Sequence, residues 1–293
     1  MSLISIVITT YNQEKMILDC LNSLLRSQIS DVELIVSDDC SPDNTYDVVR
    51  NWIDTNGNKF EKAVLVRQDI NRGTVQNLIS AINRSTSPYI KSIGGDDWFT
   101  DGAIDKIRDF VKTHDFDVAF SSLRIANQDQ YGNIDISYEA TPASKVEGFF
   151  SFNSQRQFKC LCKKNCLLAP AALYTRKYWD NVKLWELNLI ILEDWAMWLL
   201  GTMNNMRFAE IQEILVVYRQ HMGSVSYEIG PRKIQEMRDV VWVQRNICMR
   251  KKEWLSATEI LHLRFSSVLI YIVSLLPLCV IAKIDKVRRI FKK

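Results

Sequence analysis

Two stretches of this chain crowd together side chains that can do chemistry. Asp38-Asp39-Cys40-Ser41-Pro42-Asp43-Asn44 carries three carboxylates in seven residues, and Gly94-Gly95-Asp96-Asp97-Trp98 sets two more behind a pair of glycines. On its own the first stretch reads as a tight turn with a helix N-cap at Asn44. The second stretch shifts that balance. Acidic groups gathered where a nucleotide would sit suit hydroxyl recognition on base and ribose, with phosphate charge neutralised through a metal ion. Direct phosphate cradles are missing from the sequence: no Gly-x-Gly-x-x-Gly follows the first apolar run, and there is no Walker-type lysine loop.

The elements that must carry these stretches follow from the apolar pattern. Leu3 to Thr9 is short, apolar and rich in β-branched residues, which predicts a buried strand. Ile17, Leu18, Leu21, Leu24 and Leu25 then share one helical face. Val32 to Ser37 reads as a second strand, followed by a helix with Tyr46, Val48, Val49, Trp52 and Ile53 on its apolar side. Further strands are expected over 63–67, 89–93 and 116–121, separated by helix faces at Val75, Leu78, Ile79 and Ile82 and at Ile104, Ile107, Phe110 and Val111. Such alternation predicts an α/β fold with a mostly parallel central sheet covered on both faces. Ligands bind these sheets beyond the carboxyl ends of the strands. Thr9 to Asn12, Asp38 to Asp43 and Gly94 to Trp98 all fall there.

With 293 residues, 47% of them hydrophobic, the chain can bury one large domain, or one domain plus an appendage. Its net charge of +3 gives no reason to expect a nucleic-acid partner. The charge is uneven, however: from Pro231 to Lys293 there are 14 Lys and Arg against 5 Asp and Glu, so an acidic body precedes a basic tail. Within that tail Phe265 to Ala282 is apolar over 18 residues, flanked by Arg264 and Lys283, broken by Pro277 and followed by Arg288-Arg289 and Lys292-Lys293. Basic flanks around an apolar run at the short end of bilayer-spanning length predict an interfacial or re-entrant membrane anchor, the alternative being a buried helix. Cys160, Cys162 and Cys166 lack a fourth ligand for zinc and read as free thiols in a reducing compartment. The N-terminus has neither a basic start nor a small-residue cleavage site, so the body is expected to stay in the cytoplasm.

In order along the chain, Ser5 to Asn12, Glu33 to Thr45, Asn71-Arg72-Gly73, Gly94 to Trp98, Glu193-Asp194-Trp195 and Tyr218-Arg219-x-His221 resemble the motifs of the family 2 nucleotide-sugar glycosyltransferases of GT-A fold. The resemblance covers about residues 2 to 226. It implies a catalytic domain over 1–226, and the composition read above then leaves a helical tail over 227–293 with 265–282 as the membrane-associating segment. It also implies an inverting transfer of a sugar, most simply from a UDP-sugar, to an acceptor hydroxyl of a glycan or lipid-linked glycan at the cytoplasmic face of a membrane. Thr9, Tyr11 and Asp39 would hold base and ribose, with Arg72 near the base or diphosphate. Asp96 would touch the ribose or sugar, and Asp97 would bind Mg or Mn. Asp194 would be the catalytic base. Glu193 and Trp195 would shape the acceptor side, while Arg219 and His221 would reach the diphosphate. Gly94 stands where the family often has an aspartate, so one carboxylate that would bind metal is missing.

Plainer readings stand beside these. Asp194 also suits the first turn of a helix over 195–203, where an acid complements the helix dipole. Trp179, Trp185, Trp195 and Trp198 either stack an acceptor sugar or belong to the core. The missing carboxylate at Gly94 leaves open a catalytically weak nucleotide-sugar-binding scaffold at a membrane. A sugar nucleotidyltransferase would need a glycine-rich loop with a basic residue, which Tyr11-Asn12-Gln13-Glu14 does not supply.

Overall fold

The computed structural model describes residues 2–187, 189, 191–221 and 231–276. Its first half is a run of strand and helix pairs: β1 (Ile4–Thr10), α1 (Ile17–Leu24), β2 (Val32–Asp38), α2 (Thr45–Asn56), β3 (Lys62–Arg67), α3 (Thr74–Ile82) and β4 (Tyr89–Gly94). The short β5 (Trp98–Phe99), α4 (Ala103–Thr113), β6 (Val118–Gln128) and β7 (Ile134–Ile136) follow. The chain continues through α5 (Ser154–Lys163), β8 (Ala172–Thr175), α6 (Arg176–Val182), α7 (Glu193–Met203), β9 (Phe208–Gln220), α8 (Pro231–Asn246) and α9 (Ala257–Ser274).

The strands form one sheet in the order β3-β2-β1-β4-β8-β6-β9-β5, with β7 on β6. β3, β2, β1 and β4 are parallel, and β9 runs parallel to β6. β8 lies antiparallel between β4 and β6, and β5 is antiparallel to β9. The long strands therefore point one way, as the alternation of elements requires, and the short ones run against them. Burial explains the sequence of the central strands: β2 is buried at every position and β1 at all but one, so both read as continuous apolar runs rather than alternating ones. Register then aligns the chemistry. Thr10 pairs with Asp38, Thr9 with Gly94 and Asp38 with Arg67, so the carboxyl ends of four strands lie side by side.

The structure corrects several expectations. The strand expected over 116–121 begins at Val118 and runs to Gln128, because it pairs along most of β9. Asn44 precedes α2 but makes no side-chain cap; Asp43 does the work, its Oδ1 accepting from the N–H (3.1 Å) and hydroxyl (2.5 Å) of Thr45. Trp179, Trp195 and Trp198 belong to the core, and of the four tryptophans only Trp185 is exposed. Gly201 of α7 lies against the Tyr178 ring, where an added Cβ would stand 2.7 Å from Cε2 and Oη. The Tyr178 hydroxyl donates to the Met197 carbonyl (2.7 Å) in the same helix. The neighbouring Cys248, together with burial, pushes the Cys162 thiol far above the ordinary range, and among the described residues no cluster of three or more His, Cys, Asp and Glu is placed to hold a metal.

The boundary expected at 226/227 falls outside the described residues. Beyond it, α8 and the turn after it put Val243, Ile247 and Cys248 into the same core cluster as the sheet. α9 starts with a capping box between Ser256 and Glu259 and packs along α8, where Ser266 Oγ donates to Gln244 Oε1 at 3.4 Å. Its outer side is apolar and open, with Leu261 and Phe265 each 68% exposed. Residues 277–282 of the expected membrane segment lie outside the described residues.

Candidate active site

The chain leaves β1 through Asn12 at φ 56° and leaves β2 through Cys40 at φ 61°, both in the left-handed region that residues other than glycine seldom occupy. Such strain persists only where surrounding bonds hold it. Here the two loops are tied to each other. Asn12 N–H donates to Ser41 Oγ (2.9 Å), Gln13 N–H to Thr45 Oγ1 (2.7 Å) and Glu14 N–H to Asp43 Oδ2 (3.1 Å), and Asn44 N–H returns a bond to Glu14 Oε2 (3.0 Å). Burial would raise the Asp43 pKa, but the Thr45 hydroxyl and the amides of Glu14 and Thr45 outweigh it and hold the carboxyl below its usual range. Asp38 is buried and accepts from the Ser41 N–H (3.0 Å) and hydroxyl, so it builds the turn.

Asp39 has a different task. Its Oδ1 accepts from the Arg72 N–H and its Oδ2 from the Gly73 N–H, each at 2.8 Å, which fastens the segment before α3 to the end of β2. Gly73 sits at φ 83°, a conformation that suits glycine at this entry to the helix. Arg72 and Tyr11 have exposed side chains at the rim of this shelf.

At the end of β4, Asp97 is buried and its Oδ1 accepts from the Arg219 N–H at 2.8 Å. Burial, and then the charge of Asp96, push the Asp97 pKa well above the carboxylate range. Asp96 Oδ2 lies 3.2 Å from His221 Nε2. A side chain at position 94 would begin 2.6 Å from Asp96 Oδ1, so the Asp96 carboxylate leans into the space that the glycine leaves open. Beneath this loop Lys91 is buried, its ammonium donating to the carbonyls of Ser92 (3.2 Å), Pro170 (2.5 Å) and Ala172 (3.1 Å), and burial lowers its pKa to about 7.

Opposite stands the first turn of α7. Asp194 Oδ1 accepts from the Trp195 N–H (2.6 Å) and Oδ2 from Asn165 Nδ2 (2.8 Å). Burial raises the Asp194 pKa against the pull of those two donors, which makes its carboxylate a stronger proton acceptor than an exposed one. Thr9, Asp96, Asp97, Glu193 and Asp194 converge on one cleft of about 430 Å³ between the strand ends and α7.

Two of the expected contacts take other roles. Arg219 is 1% exposed; its guanidinium bonds the Asp96 carbonyl (2.7 Å), Gln128 (3.2 Å) and Asp19 (2.5 Å) and lies over the Trp98 ring, so it props the Asp96 loop from inside. Trp195 faces the core, its indole donating to the Leu161 carbonyl at 2.8 Å. Sequence reasoning missed Asn165, and it missed Lys233 and Glu236 of α8, which line the cleft. Asn165 had no signal, being one of three consecutive polar residues at the end of a helix; α8 was obscured by the basic composition of its surroundings.

The two carboxylates at Asp96 and Asp97 fit a divalent cation. Burial and mutual repulsion disfavour their joint ionisation, and a cation held by one or two carboxylates plus substrate phosphates relieves both.

A mostly parallel sheet with acidic strand ends facing a carboxylate on a separate helix is the architecture of the GT-A glycosyltransferases, and solved structures agree. S. aureus TarS in complex with UDP-GlcNAc superposes with a TM-score of 0.62 at 19% identity, covering 91% of this chain and 73% of that one. A mannosyltransferase from Pyrobaculum calidifontis in complex with GDP-Man and Mn2+ gives 0.56 at 12% identity, covering 98% and 80%. The chain belongs to glycosyl transferase family 2, whose model matches residues 5–182. Among curated relatives, the UDP-Glc:alpha-D-GlcNAc-diphosphoundecaprenol beta-1,3-glucosyltransferase WfaP of Escherichia coli is 24% identical over 226 residues, 77% of this chain and 80% of that protein. The uncharacterized glycosyltransferase EpsJ of Bacillus subtilis is 26% identical over 116 residues, 40% of this chain and 32% of that protein.

Proposed function

We propose that this protein is an inverting glycosyltransferase that moves a sugar from a UDP-sugar to an acceptor hydroxyl of a lipid-linked glycan in the making of a cell-surface polysaccharide. The observation that carries this reading is the cleft itself, which sets Asp96 and Asp97 against Asp194. Thr9, Tyr11, Asp39 and Arg72 make the shelf for base and ribose. A Mg or Mn ion at Asp97, with Asp96 beside it, would offset the charge that grows on the departing diphosphate. Asp194 takes the acceptor proton as the acceptor oxygen bonds to the anomeric carbon and the bond from that carbon to the diphosphate breaks; its raised pKa suits that proton transfer. His221, next to Asp96, supplies a donor at the diphosphate end, and Glu193 flanks the acceptor.

The name of the Escherichia coli relative, a glucosyltransferase acting on a diphosphoundecaprenol-linked sugar, supports the lipid-linked acceptor. The open apolar side of α9 supports work at the membrane surface: the helix has a mean hydropathy of 1.2, and only 17% of it is buried. The test of donor use is a thermal-shift comparison of nucleoside diphosphates with and without Mn²⁺, in which UDP with Mn²⁺ should give the largest rise, since a ligand that binds only the native state stabilises it. No shift with any nucleoside diphosphate would end the reading. For the membrane part, Phe265→Asp should weaken co-sedimentation with anionic vesicles; unchanged binding removes α9 from that contact.

A further inference from the structure

α7 begins without a cap of its own. Leu192 occupies the N-cap position and makes no side-chain cap bond, although helix starts leave backbone N–H groups in need of acceptors. Inside the helix Asp194 Oδ1 takes the Trp195 N–H, and for the two residues that lead into the helix the acceptor comes from another element. Asp239 of α8 is 2% exposed, and its Oδ2 accepts from the N–H of Ile191 (2.7 Å) and of Leu192 (3.3 Å), while its Oδ1 is held by Gln235 Nε2 (2.9 Å). Ile191 and Leu192 are the two residues before the Glu193-Asp194 pair, and all four line the cleft.

From this geometry we infer that Asp239 is a positioning residue for transfer: it latches the backbone just ahead of Asp194 and so fixes where the base stands relative to the donor. The inference rests on the glycosyltransferase reading of the cleft. A carboxylate buried on two amide donors holds a backbone more firmly than neutral hydrogen bonds would, because charge-assisted bonds are roughly twice as strong. Asp194 is thus fixed from two sides, by Asn165 at its carboxylate and by Asp239 at the chain leading into it. The donor shelf at Asp39 shares no residue with this latch, so the two can fail separately.

The test compares Asp239→Ala with Asp239→Asn in the full chain. Asn keeps an oxygen for both N–H groups, and Gln235 can turn its amide to satisfy the new NH₂. Asp239→Ala should speed deuterium exchange in the peptide holding Ile191 and Leu192 and lower transfer turnover by about 10²-fold, the size of effect that a misplacement near 1 Å produces. The UDP dissociation constant should stay unchanged, and Asp239→Asn, whose neutral amide oxygen still accepts from both N–H groups but more weakly, should bring exchange and turnover part of the way back toward wild type. Gln235→Ala, which removes only the support of Oδ1, should change both in the same direction by less, and it serves if the Asp239→Ala protein does not fold. Unchanged exchange, an Asn variant as impaired as Ala, or a matching loss of UDP affinity would each overturn the latch. A wild-type protein inert with every sugar nucleotide would overturn the glycosyltransferase reading instead, while the exchange comparison would still decide whether Asp239 holds the segment.

Discussion

The two sides of the cleft are built by different means. On the side proposed for the donor, parallel strands in register bring the ends of β1, β2 and β4 together, and the bonds that finish the shelf join loops following adjacent strands: Asn12 to Ser41, Glu14 to Asp43, Asp39 to Arg72 and Gly73. On the side proposed for the acceptor, Asp194 is held by Asn165, just after α5, and its approach is held by Asp239 from α8. One side is dictated by sheet topology and the other by helix packing. Damage to the donor side should therefore appear in affinity, and damage to the acceptor side in turnover.

The sharpest test of that division is Asp194→Asn. A positioned general base contributes about 10²–10⁴-fold, so transfer should fall in that range while calorimetry returns the same UDP affinity. Near-normal turnover would return Asp194 to the role of a helix-start acid. Asp39→Ala should show the converse. Removing a carboxylate that takes two backbone donors should weaken UDP binding by about 10–100-fold, in line with hydrogen bonds to charged groups, and turnover at saturating donor should change far less. If turnover falls as much as affinity, the two sides are not separable.

A subtler probe is Asn165→Leu. The Asn165 amide favours the ionised form of Asp194, so its loss should raise a pKa that burial has already raised. The acid limb of the rate against pH should move to higher pH, and a limb that stays in place removes Asn165 from the base. The smallest effect concerns stability. The folded-state pKa of Asp97 is raised, so the stability linked to its protonated form is whole below the ordinary carboxylate range and is lost as pH rises through the elevated value. Asp97→Asn mimics that protonated form and keeps the acceptor for the Arg219 N–H. The variant should melt a few degrees above wild type at pH 7 without cation, the two should converge in acid, and Mn²⁺ should no longer add to stabilisation by UDP. A lower melting temperature at pH 7 would show that the ionised Asp97 is favoured by the fold.

The same contrast explains what could be read from the sequence. Ile6 to Ile8 and Leu34 to Val36 are buried on both faces of the sheet, so their composition alone marks them as central strands, and the strand-end rule then locates Asp39, Asp96 and Asp97. The resemblance sends Arg219 to the diphosphate, whereas the Asp19 and Gln128 side chains that enclose it come from distant elements. Asn165 and Asp239 act only through contacts made once α5, α7 and α8 pack, and neither sits in a local pattern that announces a role. The basic composition of residues 231–293 predicted an appendage, yet α8 turns Lys233 and Glu236 into the cleft.

Gly201 sets a limit on how this protein can change. Every single-nucleotide change of a glycine codon that alters the residue either adds a β-carbon or ends the chain, and at this position a β-carbon meets the buried Tyr178 ring at 2.7 Å. That ring is enclosed in the core and tied to the Met197 carbonyl, so it has nowhere to yield. Genetic drift is therefore blocked at one point of α7, two turns from Asp194. A lineage could replace Gly201 only after Tyr178 had already shrunk, and the order of those two steps cannot be reversed without passing through a displaced helix.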